Sequence, residues 1–171
     1  MRILHVVGGM DHGGIQSWLM HILRNIDRDR FRMDFLVHTD APCAYDEEIR
    51  ALGSRILPCL DPSRPVTYGR RFRAIVRRSG RYQVVHSHVH HFSGYVAMLA
   101  RRERVPVRIV HSHTAPVAAG LPLQRRTYLA LMKHWIRRHA TVGLGVSQEA
   151  TVSLFGPEWH ADGRFRIAYC S

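Results

Sequence analysis

The sequence predicts a Rossmann-like α/β domain, a mostly parallel sheet with helices on both faces. Three observations carry this reading. Short β-like runs alternate with amphipathic stretches at helical spacing, the pattern of successive βαβ units. The 171 residues are 46% apolar, with 13 Gly and 8 Pro, which suits one globular core and neither a disordered nor a fibrous chain. The first β-like run ends in a glycine-rich turn that leads straight into a helix.

In order, Arg2–Val7 reads as the first strand. A helix follows over about Ile15–Asn25, where Ile15, Trp18, Leu19, Ile22, Leu23 and Ile26 share one face for packing on the sheet. Phe31–Val37 is the second strand, Tyr45–Leu52 a helix, Arg55–Leu57 a short strand and Tyr68–Arg78 a basic helix. Tyr82–His86 makes a further strand, Phe92–Arg102 a helix, and Val107–Val110 the next strand after Pro106. Leu123–His139 is helical, Thr141–Val146 is a strand, and Ser147 caps a helix running towards Phe155. Arg164–Ala168 closes the chain as an isolated strand. No repeat or low-complexity linker interrupts this order, so residues 1–171 form a single domain. In such a sheet, ligands collect beyond the carboxyl ends of the strands.

No apolar run approaches the eighteen or so residues needed to cross a bilayer. Met1–Val7 enters a strand instead of an export signal, so a cytoplasmic chain is expected. Cys43, Cys59 and Cys170 are scattered and odd in number, which argues against a disulfide framework or a zinc knuckle.

The formal net charge is +12, and Lys133 is the single lysine. Residues 1–60 and 141–171 each sum to −1, whereas residues 61–140 set fifteen Arg and Lys133 against only Asp61 and Glu103. A surplus confined to one region makes a local positive potential, suited to nucleic acid, anionic head groups or phosphorylated small molecules. A solvated, solubilising surface is the plainer alternative.

After the first strand come Gly8, Gly9, Met10, Asp11, His12, Gly13 and Gly14. Glycines at a helix start leave backbone N–H groups uncovered at the positive end of the helix dipole, where a phosphate can rest. The spacing is neither G-x-G-x-x-G nor a P-loop, which weakens nicotinamide and nucleoside triphosphate readings. A turn that only lets strand and helix pack closely remains the alternative.

Two strands end in nearly the same word: Val84-Val85-His86-Ser87-His88, followed by Val89, His90 and His91, and Ile109-Val110-His111-Ser112-His113-Thr114. Strand alternation puts His86 with His88, and His111 with His113, at carboxyl ends on the ligand side. Six histidines are thus expected on one rim, donating hydrogen bonds to sugar hydroxyls or phosphate oxygens, or titrating near neutral pH. A metal is not expected, because no nearby Cys, Asp or Glu completes a shell, Glu103 being the only acid between residues 62 and 148. On the Leu123–His139 helix, Tyr128, Leu129, Leu131, Met132, Trp135, Ile136 and His139 cluster opposite Arg126, Lys133, His134, Arg137 and Arg138. Its cations either touch an anionic bilayer surface or face water.

Together the G-G-x-x-x-G-G loop, the two His-Ser-His strand ends and Gly143-Leu144-Gly145-Val146-Ser147 resemble the amino-terminal domain of family 4 glycosyltransferases of GT-B fold. His86 to Gly94 and Met33-Asp34-Phe35-Leu36-Val37 resemble bacterial capsular and exopolysaccharide transferases most. The resemblance spans essentially the whole chain. It implies one half of a GT-B fold and retaining transfer of a sugar from a nucleotide sugar, the co-substrate, to an acceptor, usually a lipid-linked saccharide at the inner membrane face. No cofactor is implied. By the same likeness, Gly13 and Gly14 approach the donor diphosphate and the acceptor. His113 is the catalytic residue, acting through hydrogen bonding and electrostatics and not as a nucleophile. His86, His88, His90, His91 and His111 line the acceptor side, and Arg125, Arg126, Lys133, Arg137 and Arg138 form the membrane or anion contact.

Members of that family are about twice as long, with a second Rossmann-like domain that binds most of the nucleotide and carries two glutamates separated by seven residues. Glu149 and Glu158 are separated by eight and are not that pair. The expectation is therefore an acceptor-side half, truncated and nearly inactive alone. Two rivals are a nucleotide-dependent oxidoreductase with Asp40 holding a ribose, and a basic nucleic-acid binder, which lacks a recognition motif.

Overall fold

The computed structural model describes residues 1–113 and 121–169. Among the described residues the strands form one seven-stranded sheet, and the chain divides into two compact units, Met1–Val85 and His86–Ser171.

The first unit contains β1 (Arg2–Val7), α1 (Gly14–Asn25), β2 (Arg32–Val37), α2 (Asp46–Ala51), β3 (Ile56–Pro58) and α3 (Pro65–Arg78). β1 pairs with β2 in parallel with Arg2 opposite Arg32, and β2 with β3 with Phe35 opposite Ile56. Residues 4–7 of β1 and 33–37 of β2 are buried consecutively, as in strands covered on both faces. Leu19, Met20 and Leu23 of α1 join Met33, Phe35, Val37 and Ile49 in the core, with Ile15, Trp18, Ile22 and Ile26 packed at its margin. The apolar stripe read from the sequence is thus the face that meets the sheet.

Asp34 is one of the polar groups buried beside this core. Asp34, 4% exposed, accepts hydrogen bonds from Arg55 Nη2 at 2.7 Å, Tyr82 Oη at 2.7 Å and Arg2 Nη2 at 3.0 Å. Burial pushes its pKa up, but the bonds from Arg55 and Tyr82 outweigh that and hold it below the usual carboxylate range. Asp34→Ala strands these donors. Because Arg2 and Arg55 reach solvent, the expected loss in urea unfolding is about 2–3 kcal/mol, below the range for a fully buried pair. A loss under about 0.5 kcal/mol would mean the network contributes no stability.

The second unit contains α4 (Ser93–Arg102), β5 (Val107–Ser112), α5 (Leu123–His139), β6 (Val142–Gly145), α6 (Gln148–Phe155) and β7 (Phe165–Ile167), with 3₁₀ turns at His90–Phe92 and Trp159–Ala161. β4 (Val84–Ser87) lies across the division. β5 pairs with β6 in parallel, Ser112 opposite Gly145, and β6 with β7, Gly143 opposite Phe165. The core joins Ala97, Val110, Ile136, Leu154, Phe155 and Phe165, the two phenylalanine rings stacking at 4.6 Å. Ser147 caps α6 as expected, accepting from the Ala150 amide at 3.2 Å.

The final strand corrects the sequence reading. β7 is not isolated but hydrogen-bonded to β6, and it is shorter than Arg164–Ala168. Pairing buries Phe165 against Phe155 while Arg166 stays exposed, so the run's own polarity concealed its partner. α3 starts at Pro65, three residues before the expected Tyr68, because proline at a first helical position has no amide to lose. β4 starts two residues late, and β5 continues through His111 and Ser112. Thr114, Cys170 and Ser171 lie outside the described residues.

Candidate functional site

The glycine-rich loop is held by its ends. The His38 amide donates to the Gly8 carbonyl at 3.0 Å, the Tyr45 amide to Met10 at 3.0 Å, and Gln16 Nε2 to Gly9 at 3.1 Å. Met10 is fully buried and pins the loop to the core. Gly13 and Gly14, by contrast, are exposed. α1 begins there with no side-chain cap and no acid in its first turn, so its leading amides point out of the helix unmatched by the groups that usually satisfy them.

A Cβ at Gly14 would meet nothing within 4 Å, and one at Gly13 would meet only the flexible end of Gln16. The close-packing alternative for these two glycines therefore fails: nothing among the described residues needs the space they leave. Gly94 is the opposite case, since a Cβ there would be driven into the Met132 carbonyl where α4 and α5 cross.

The histidine words produce a cluster of four imidazoles within the second unit. His86 Nε2 lies 3.3 Å from His111 Nδ1, and His88 Nδ1 lies 3.0 Å from His113 Nε2. Ring centroids are 4.2 Å apart for His86–His88 and 4.0 Å for His111–His113. His86, His88 and His111 are buried and His113 is half-buried. Burial lowers the His113 pKa to about 4. Between its ends the second word also buries Ser112, whose Oγ has no hydrogen-bond partner among the described residues.

His90 and His91 form a separate edge-to-face pair, with centroids 4.1 Å apart, on the 3₁₀ turn after β4. His90 adopts φ 48°, a backbone region uncommon for a side chain of this size, and its buried Nε2 has no hydrogen-bond partner among the described residues. The pKa of His91 falls to about 4 through burial, then the neighbouring His90, Lys133 and Arg125; that of His90 falls through burial, then Lys133 and Arg125.

The structure thus brings together two groups that the sequence reading kept apart, because α5 packs on the His90–Phe92 turn and sets its cations beside those rings. α5 is also less cleanly two-sided than expected. Arg125, Arg126 and Arg138 are exposed, but Lys133 is half-buried, whereas Leu131, placed on the apolar side, is 44% exposed. Arg137 Nη2 donates to the Phe155 carbonyl at 3.2 Å and so closes the end of α6. Asp40, the ribose candidate of the oxidoreductase reading, is exposed beyond β2. Among the described residues no helix is long and apolar enough to cross a membrane.

Comparison with known proteins agrees with this architecture. The family described as glycosyl transferase 4-like domain matches residues 13–153. The "Putative glycosyltransferase EpsF" of Bacillus subtilis (strain 168) is 36% identical over 157 residues, covering 91% of this chain and 41% of that protein. Among solved structures, Anabaena HepE in complex with UDP and glucose superposes with a TM-score of 0.69 at 15% identity, over 100% of this chain and 44% of HepE. Acinetobacter baumannii MurG gives 0.63 at 10% identity, over 98% of this chain and 44% of MurG. The chain therefore spans less than half the length of these relatives, and the two structural likenesses show the shared Rossmann-like fold of GT-B transferases. By its sequence match over most of its length, the chain belongs to the glycosyl transferase 4-like domain family.

Proposed function

We propose that this chain is the acceptor-side lobe of a retaining glycosyltransferase. It moves a sugar from a nucleotide sugar to a lipid-linked saccharide in exopolysaccharide or capsule synthesis, at the cytoplasmic face of the membrane. The observation that carries the reading is the four-imidazole cluster formed by the His-Ser-His strand ends in a chain of this family. Two relatives support it by name: EpsF is called a glycosyltransferase, and HepE was solved with UDP and glucose.

In the reaction, the bond between the sugar's anomeric carbon and the diphosphate oxygen breaks. A bond to an acceptor hydroxyl oxygen forms on the same face, and the hydroxyl proton passes to the departing diphosphate. The leading amides of α1 at Gly13 and Gly14 stabilise the charge developing on that diphosphate. His113 hydrogen-bonds the transferred sugar, and His86, His88, His90, His91 and His111 bind acceptor hydroxyls. A second lobe, outside this chain, supplies the nucleotide pocket.

In the full-length protein, His113→Ala is expected to lower kcat on the order of 100-fold while shifting the acceptor KM only a few-fold, as loss of a contact made in the transition state does. An unchanged kcat would refute the role. Membrane contact has its own test. Arg125→Gln with Arg126→Gln is expected to weaken binding to anionic vesicles at low salt without loss of fold, both side chains being exposed. Unchanged binding would remove the membrane role. Arg137 is left out of that test because it caps α6.

A further inference from the structure

We propose that a cavity at the amino end of β2 binds a small molecule that joins an apolar body to a phosphate or carboxylate head. The cavity lies within the first unit, where the end of α1, the turn into β2 and the turn between α2 and β3 meet, and it encloses about 350 Å³. That volume suits a compact ligand.

The apolar part of the lining comes from buried Leu23 and Met33 and half-buried Phe31 and Leu52. Between α2 and β3 the chain turns through Gly53 at φ 82°, a left-handed conformation that glycine adopts freely, and a Cβ there would meet nothing within 4 Å. Space is therefore left open beside this apolar surface.

The polar part suits an anion. Ser54 is only 8% exposed and lines the cavity, and its Oγ makes no hydrogen bond among the described residues. A buried hydroxyl normally has a partner, and a ligand oxygen in the cavity would supply one. Arg28 and Arg32 also line the cavity and are exposed, and neither pairs with a carboxylate among the described residues. Asp27 and Asp29, in the same turn, do not line it. Asp27 Oδ1 instead accepts from the Asp29 and Arg30 amides at 3.1 and 3.3 Å. The turn is fixed further by the Phe31 amide donating to the Asp27 carbonyl at 2.9 Å and the Arg32 amide to the Met1 carbonyl at 2.8 Å. It thus offers the cavity two guanidinium forks, whose planar geometry matches phosphate and carboxylate oxygens.

Arg32 and His38 stand at opposite ends of β2, roughly 20 Å apart along the strand, and the His38 amide holds the glycine-rich loop. Substrates of such sheets gather at the carboxyl ends, so a ligand at the amino end is an effector and not a substrate.

Calorimetric titration of the full-length protein tests the site with phenyl phosphate and benzoate, which pair one apolar body with either head, and with inorganic phosphate. Expected is saturable one-to-one binding of phenyl phosphate or benzoate, about 10-fold or more tighter than inorganic phosphate, with a rise in Tm. The tighter of the two identifies the head. Arg28→Gln with Arg32→Gln, checked for fold by circular dichroism, is expected to weaken that binding roughly 10–100-fold, and Ser54→Ala a few-fold. Gly14→Val, at the far end of the sheet, should leave it intact. The site is overturned if neither aromatic probe saturates by about 10 mM, or if inorganic phosphate binds as tightly. It is equally overturned by affinity that is unaltered in the paired arginine variant or in Ser54→Ala, or lost in Gly14→Val. Sugar transfer by a protein that binds neither probe refutes only this inference; probe binding without transfer refutes only the proposed function.

Discussion

Gly14→Val in the full-length protein is expected to lower kcat/KM for the nucleotide sugar on the order of 100-fold, because the added side chain stands in the open space beside the leading amides of α1 and keeps the diphosphate from approaching them. Folding should hardly change. A side chain at this position meets nothing within 4 Å, and Val at the first helical turn costs no more than Gly in helix propensity. The measurement is steady-state kinetics beside a thermal melt. A Tm drop of more than about 5 °C would show that Gly14 serves packing after all, and unaltered kinetics would show that no ligand approaches the loop.

Gly94→Val is expected to do the reverse. Its Cβ would enter the Met132 carbonyl, with the Met132 Cα only 3.2 Å away, and backbone cannot rotate aside as a side chain can. α4 is buried along most of its length against α5, so relief requires separating the two helices. The expected loss is on the order of 3 kcal/mol or more, enough to unfold much of a marginally stable unit. Denaturant unfolding of the purified variant reads it directly, and a loss below about 1 kcal/mol would contradict the packing described here. Glycine therefore stands at positions 14 and 94 for opposite reasons, and only surrounding atoms distinguish them.

That contrast shows how far the sequence was legible. Periodicity placed every helix and strand within a few residues, because the apolar stripe of α1 and the buried runs of β1 and β2 are strong local signals. Alternation put His86 with His88 and His111 with His113. The hydrogen bonds that tie His86 to His111 and His88 to His113 depend on which strands are neighbours, and no local pattern states that. Likewise the run at Phe165 looked unpartnered until β6 was found beside it, and Lys133 and Arg137 looked like solvated cations until α5 was docked. Gly94 reads only as the end of the family-like stretch that begins at His86, although a glycine inside a predicted helix is itself a cue to close approach.

Product analysis by NMR reads whether the sugar is transferred with retention of configuration. Full-length protein incubated with nucleotide sugars and a lipid-linked saccharide should release nucleoside diphosphate and form a new glycosidic linkage whose anomeric proton shows the donor's own configuration. An inverted linkage, or no linkage from any nucleotide sugar despite a folded protein, would refute retaining sugar transfer.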